Sequence, residues 1–283
     1  MKLLRYGEKG GERHGILDAD GAIRDLEDAL PADARIPHLE ALEALRAIDP
    51  GSLPKVGGEV RIGAPLAHPG KIIACGLNYV DHVAESGLDA GPEPTFFIKP
   101  TSSLSGPNDP VVIPPGAEQV DWEVEFGAVV GRDGVYMDEA EAEAVIAGYV
   151  LFNDVSERHN QFHRGAGQWV KGKAADTFGP IGPYLVTPDE IEPTKLDIWL
   201  ELNGKRMQSS NTDQMIFSVP AIIAYASQFM SLQPGDIVVT GTPAGCGIGQ
   251  KPPFYLKPGD RMRLGIDGLG EQNCEVIAYP GKG

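Results

Sequence analysis

The sequence predicts an α+β protein that is mainly β. From residue 71 onward, short apolar runs alternate with turns rich in Gly, Pro and Asn-Gly. Two longer segments in that region stand out with helical spacing. Strands do not alternate with long helices, which argues against a doubly wound parallel sheet.

Residues 1–66 read as a small N-terminal domain and residues 67–283 as the larger, catalytic one. In the first, "LLRYG" and "HGILDADGAIRDL" are strand-like, with Asp20-Gly21 as a turn. "PHLEALEALRAID" has helical spacing and stops at Pro50-Gly51. "SLPKVGGEVRIGAPLAHPG" is a Pro- and Gly-rich connection. In the second, strands are expected at "KIIACG", "VVIP", "WEVEFGAVVG", "YVLFND", "KLDIWLELNGKRM" and "DIVVTGTP", and Asn203-Gly204 is a hairpin turn. "DEAEAEAVIAGY" reads as a helix whose acidic first turn suits the helix dipole. "SVPAIIAYASQFM" reads as a second, with Ser218 as N-cap and Pro220 in its first turn.

Hydrophobic residues make up 42% of the 283, which suits a globular core. No apolar run approaches the roughly 20 residues of a membrane span, and the start, "MKLLRYGEKGGERHG", lacks the apolar stretch of a signal peptide. A cytoplasmic protein with no membrane partner is expected. Cys75, Cys246 and Cys274 form no CxxC pair and no zinc spacing, so they read as buried thiols. The net charge is −16 and no basic stripe offsets it, so no nucleic-acid partner is expected. An anionic substrate would be repelled at long range, and a site for one needs local positive charge.

Against that charge, "DWEVEFG" sets Asp121, Glu123 and Glu125 on alternate positions of a strand. Either this acidic face meets water or a cation sits on it. Glu123 and Glu125 can reach one ion, and oxygen ligands suit a hard cation such as Mg²⁺. A third ligand is available where the strand "YVLF" ends at Asn153-Asp154. In "CGLNYVDHVAESG", Asn78 can cap a short helix that Gly87 ends, which places His82 and Glu85 on one helical face. A carboxylate beside an imidazole fixes its tautomer and raises its basicity, as a general base requires; a surface ion pair is the plainer reading. "GQWVKGKAADTFGPIGP" offers Lys171 and Lys173 as sources of positive charge. "DIVVTGTPAGCG" runs a strand into a Gly-rich turn whose N–H groups, with the Thr242 hydroxyl, can grip a carboxylate. It is neither a P-loop nor a dinucleotide fingerprint, and the absence of GxSxG leaves serine-hydrolase chemistry unsupported.

Taken in order, "GLNYVDHVAE", "FIKP", "DWEVEFGAVVG", "NDVSERHNQ", "KGKAADTFGPIGP", "MIFSVPAIIAYAS" and "DIVVTGTPAGCG" resemble the fumarylacetoacetate hydrolase family over residues 70–270. The resemblance implies a mixed β-roll with a few flanking helices and a small N-terminal α+β domain. It places Glu123, Glu125 and Asp154 at the metal-ligand positions, with Mg²⁺ as cofactor and Mn²⁺ or Ca²⁺ as substitutes. It makes Lys173 rather than Lys171 the active-site lysine, His82 and Glu85 the catalytic pair on a lid helix, and Thr177 a neighbour of the metal's water shell. Thr242 becomes a substrate-carboxylate contact, and Arg158 and Gln161 fall near the substrate.

The implied reaction is metal-dependent hydrolysis of a C–C bond in a 2,4-dioxo (acylpyruvate-like) acid through a metal-bound enolate. Alternatives within the family are tautomerisation, isomerisation or decarboxylation of a 2-oxo acid such as oxaloacetate, and ureidoglycolate lysis. "KPPFYLKPGD" is similar to the subgroup named for ureidoglycolate lyase, 2,4-diketo-3-deoxy-fuconate hydrolase and oxaloacetate tautomerase. A homodimer acting on a small anionic 2-oxo acid is the expected assembly and partner.

Overall fold

The computed structural model describes residues 1–30, 35–87 and 89–281. Its centre is the strand Val124–Val130, every residue of which is buried. It pairs antiparallel with Ile146–Asn153 on one side and with Ile237–Val239 on the other. Ile72–Gly76 then adds in parallel to Ile237–Val239, and Thr95–Lys99 closes that edge. On the far side, Leu185–Val186 joins Ile146–Asn153 to Lys2–Tyr6, followed by Arg13–Leu17 and Ile23–Asp25. The result is a mixed sheet of ten strands, to which residues 1–66 contribute the outer members.

A second sheet of five strands runs in the order Lys205–Asn211, Asp197–Leu202, Arg261–Ile266, Gly270–Ala278 and Val111–Ile113. The two sheets enclose one core, in which Val124, Phe126 and Ala128 share a cluster with Leu200, Met262 and Leu264. The opposite face of the large sheet is covered too. Val129, Val150 and Phe152 lie in a cluster with Leu3, Leu42 and Leu45 of the N-terminal part. Burial on both faces is why these central strands can be nearly continuous in apolar residues. Among the described residues, no helix is long and apolar enough to cross a membrane.

Local chemistry accounts for most of the boundaries. Asn203 and Gly204 both adopt positive φ, 52° and 79°, as a tight hairpin turn requires. Ser218 caps Val219–Ser227 by accepting a hydrogen bond from the Ala221 N–H, with Pro220 in the first turn. Leu39–Arg46 ends ahead of Pro50-Gly51, as the sequence predicts. Two expectations are corrected. The helix in "DEAEAEAVIAGY" covers only Glu139–Ala144, started by a capping box of Asp138 and Glu141. From Ile146 the chain is strand, because pairing with the central strand outweighs helical spacing in this apolar run. Nor is Asn78 a helix cap. Tyr79 holds the N-cap position of Val80–Ser86, while Gly87 ends the helix at φ 66° as anticipated. The buried Asn78 side chain instead donates to Phe217 O and Thr240 O and accepts from Phe217 N–H, which anchors the foot of that helix.

Candidate active site

Register assembles the acidic cluster. Pairing Val124 with Asn153 brings Glu123 and Asp154 together at the end of the two strands, and Asp154 N–H donates to Glu123 O at 2.9 Å. Carboxylate oxygens of Glu123, Glu125 and Asp154 lie within 4.8 Å of one another, and all three residues are buried. A solvated acidic edge is therefore excluded. Trp122 and Glu123 interrupt the strand, so Asp121 belongs to a separate short strand, Val120–Asp121.

Asp121 is committed elsewhere. It receives Arg158 Nε at 2.8 Å, Gly247 N–H at 2.7 Å and Ile248 N–H at 3.0 Å. The glycine-rich turn does grip carboxylates, but they are the protein's own. Gly241 N–H donates to Glu125 at 3.0 Å, and Gly245 N–H donates to Glu85 at 3.1 Å. Gly249 comes so close to Glu85 that a Cβ there would lie 2.6 Å from the carboxyl carbon and push the carboxylate aside.

Cations separate these carboxylates. Lys173 Nζ lies 2.7 Å from both Glu123 and Asp154. Arg158 reaches Glu123 at 2.7 Å while holding Asp121. Burial opposes ionisation of Glu123, but Lys173 and Arg158 outweigh it and bring the carboxyl down to about 2. Among the described residues, no cationic side chain pairs with Glu125. Burial first, then Asp154 and Glu123, push its carboxyl well above the usual range. Burial also disfavours the Lys173 ammonium, yet Asp154 and Glu123 prevail and raise it.

The helix Val80–Ser86 brings His82 and Glu85 to the cavity that this cluster lines. His82 Nδ1 lies 3.6 Å from Glu85 Oε2, longer than a hydrogen bond, and Nδ1 has no hydrogen-bond partner. Contact with His82, helped by the Gly245 N–H, holds the Glu85 carboxyl below its ordinary value. His82, Glu85, the three acidic residues, Lys173, Arg158, Gln161 and Thr242 all line one cavity of about 460 Å³. Phe97, Phe162 and Trp169 form its apolar wall.

Residues 71–277 match the family description "Fumarylacetoacetate (FAA) hydrolase C-terminal". The chain belongs to the fumarylacetoacetate hydrolase family.

A Burkholderia lata protein provisionally named a hydrolase is 55% identical over 275 residues, covering 96% of this chain and 97% of its own. The structure of maleylpyruvate hydrolase from Sphingobium sp. SYK-6, in complex with manganese(II) and pyruvate, superposes with a TM-score of 0.80 at 34% identity, covering 98% of this chain and 99% of that one. That of 5-carboxymethyl-2-hydroxymuconate delta-isomerase from Mycobacterium smegmatis does so with 0.77 at 31% identity, covering both chains in full.

For a fumarylacetoacetate hydrolase-family site, the donor set fits a hard divalent cation. It is oxygen-only and buried, and Glu125 is the carboxylate left without a positive partner. Lys171 is exposed and donates to Arg164 O, so it stays outside the cluster. Thr177 does not line the cavity; its hydroxyl accepts from Val112 N–H at 2.8 Å. Thr242 lines the cavity, but its hydroxyl donates to Val124 O and accepts from Gln208. Arg158 and Gln161 bond to each other at 3.0 Å. All three cysteines are buried and unpaired, and burial pushes the cavity-lining Cys75 thiol up to about 12, too high for a nucleophile.

One residue escaped the sequence reading. Lys99, in "FIKP", is fully buried and lies 2.6 Å from Asp154 Oδ1. Burial lowers its pKa despite Asp154. Strand alternation held a signal for it, because Lys99 is two residues from the cavity-lining Phe97 and therefore on the same face.

Proposed function

We propose that this protein is a divalent-metal-dependent hydrolase that cleaves a C–C bond in a 2,4-dioxo acid. The observation that carries the reading is the convergence of the acidic triad, Lys173 and the His82–Glu85 pair on one cavity. Within the ion-pair network, four carboxylates (Asp121, Glu123, Glu125, Asp154) face three cations (Lys99, Arg158, Lys173). Fully ionised, the network carries one excess negative charge. A divalent cation reverses the sign, and a monoanionic 2-oxo acid then restores neutrality. This is the local positive charge that an acidic protein needs for an anionic substrate.

Glu123, Glu125 and Asp154 would hold the ion, Mg²⁺ first among candidates. When bound it supplies Lewis acidity that stabilises developing charge on the substrate's 2-oxo oxygen. The protein's own groups do the rest. His82 takes a proton from water, Glu85 holds the imidazole in the productive orientation, and the hydroxide adds to C4. The C3–C4 bond then breaks. Its electron pair becomes the enolate of pyruvate, which is protonated at C3, and the acyl part leaves as a carboxylic acid. Lys173 sits between two of the ligand carboxylates, where its charge favours the enolate oxygen. The apolar wall of Phe97, Phe162 and Trp169 excludes bulk water and suits the acyl chain.

The likeness to an isomerase supports a second reading, in which the same base moves a proton and no bond to carbon breaks. A substrate panel separates the readings. With Mg²⁺ present, acylpyruvates should release pyruvate, while oxaloacetate should neither tautomerise nor lose CO₂ at a comparable rate. Ureidoglycolate should release no urea. Urea release, or proton transfer with no pyruvate formed, would replace the hydrolase reading.

We also propose a homodimer. Exposed Phe229 packs edge-on against Phe96 and Tyr225, forming an aromatic cluster on the surface. Light scattering at micromolar concentration should give about twice the chain mass of 30.2 kDa, and the chain mass itself would refute the dimer.

A further inference from the structure

Lys99 ends the strand Thr95–Lys99 with its side chain wholly inside the protein. Its ammonium lies 2.6 Å from Asp154 Oδ1 and donates to the backbone carbonyls of Lys173 at 2.6 Å and Val155 at 3.4 Å. It thus ties together three pieces of chain: its own strand, the loop that carries Asp154, and the end of the short helix Val170–Lys173. It does not line the cavity, so neither substrate nor solvent explains its position.

The two oxygens of Asp154 have different partners, Lys99 on Oδ1 and Lys173 on Oδ2. A carboxylate on a single torsion can turn. One held at Oδ1 by Lys99 and at Oδ2 by Lys173 cannot, and so it stays fixed beside Glu123 and Glu125. The second contact acts on the other functional group. Lys173 projects from a helix of four residues, which has too few internal hydrogen bonds to fix its own last turn. The Lys99 ammonium on the Lys173 carbonyl supplies that restraint. One buried charge therefore sets the aim of a predicted metal ligand and of the active-site lysine together.

We infer that Lys99 is a positioning residue that locks Asp154 for metal binding and Lys173 for turnover. The inference rests on the metal-dependent reading above. Interactions that orient metal ligands from behind typically change metal affinity or activity by about 10–100-fold when removed, and the buried Lys99 contacts are of that kind.

The test uses Lys99→Met, which keeps the length of the side chain, and Lys99→Gln, which keeps a donor but loses the charge. For each, Mn²⁺ binding to metal-stripped protein is measured by electron paramagnetic resonance without substrate. Thermal unfolding and, on the best acylpyruvate, kcat and KM at saturating Mn²⁺ are measured alongside. Lys99→Met should bind Mn²⁺ about 10–100-fold more weakly and lose kcat in the folded, metal-saturated protein, with KM changed far less; Lys99→Gln should fall between it and the wild type.

A merely structural lysine would lower the unfolding temperature and leave both Mn²⁺ affinity and kcat near normal, which would overturn the inference. Failure of both variants to fold would do the same, because Lys99 would then be a requirement of the fold. If the wild type itself holds no Mn²⁺, the metal reading fails and this inference with it. If the wild type binds and the variants match it, only the inference fails.

Discussion

Stripping the protein with EDTA should abolish turnover of the best 2,4-dioxo acid, and Mg²⁺ or Mn²⁺ should restore it. The expectation follows from the charge arrangement. Glu125 is buried beside Asp154 and Glu123 and accepts the Gly241 N–H, and its carboxyl is pushed well above the usual range. A group whose folded pKa is raised contributes stability in its protonated form and loses it as pH rises through that value. In metal-free protein, burial and the neighbouring carboxylates disfavour ionised Glu125, and a divalent cation offsets that penalty. Because the ion needs Glu125 ionised, metal affinity should rise with pH across the titration of this raised carboxyl, which Mn²⁺ titrations at several pH values would show.

Because the ion binds the folded state, 100 Kd of Mn²⁺ should stabilise by about 2.7 kcal/mol and raise the unfolding temperature. Glu125→Gln keeps the size of the side chain but removes the charge, so it should bind the metal far more weakly and lose activity with it. Full turnover in protein proven metal-free by elemental analysis would end the metal-dependent reading.

His82→Ala should lower kcat by about 10²–10⁴-fold, the usual worth of a general base, and leave metal content unchanged, since His82 is not among the carboxylate donors. Glu85→Gln should cost less, because it disturbs orientation and charge compensation without removing the base. The 3.6 Å gap between His82 Nδ1 and Glu85 leaves the pair just short of a hydrogen bond, and Gly245 N–H holds the carboxylate in place. Substrate binding is expected to close that gap, as catalytic hydrogen bonds often tighten in the complex. Determining kcat and metal content for both variants decides the assignment. Near-normal kcat in His82→Ala would move the base elsewhere, with Lys173 next to test, and loss of metal would mean that ligand and base have been wrongly divided.

The sequence carried the ingredients of the site because strand periodicity is local. Alternation placed Glu123 and Glu125 on one face, and a strand ending at Asn153-Asp154 offered the third carboxylate. Helical spacing paired His82 with Glu85, and Asn203-Gly204 fixed a hairpin whose backbone requires positive φ. Where a segment's fate depended on a distant partner, the sequence misled. The helix expected through "AVIAGY" gave way to a strand because the partner that claims it lies some twenty residues upstream along the chain. Asn78 had the chemistry of a cap and was taken instead by Phe217 and Thr240, far away in sequence.

Charge pairing was the least legible layer. Asp121 belongs to Arg158 and to the backbone of the glycine-rich turn, Thr242 spends its hydroxyl on Val124 and Gln208, and Lys99 disappears behind Asp154. Residue type and local spacing thus determined which groups could do the chemistry and on which element each would stand. Only the tertiary structure decided which carboxylates keep a cation of their own and which is left without one. That choice is made by contacts of a few ångströms between segments remote in the chain, inside a low-dielectric interior where each such contact counts.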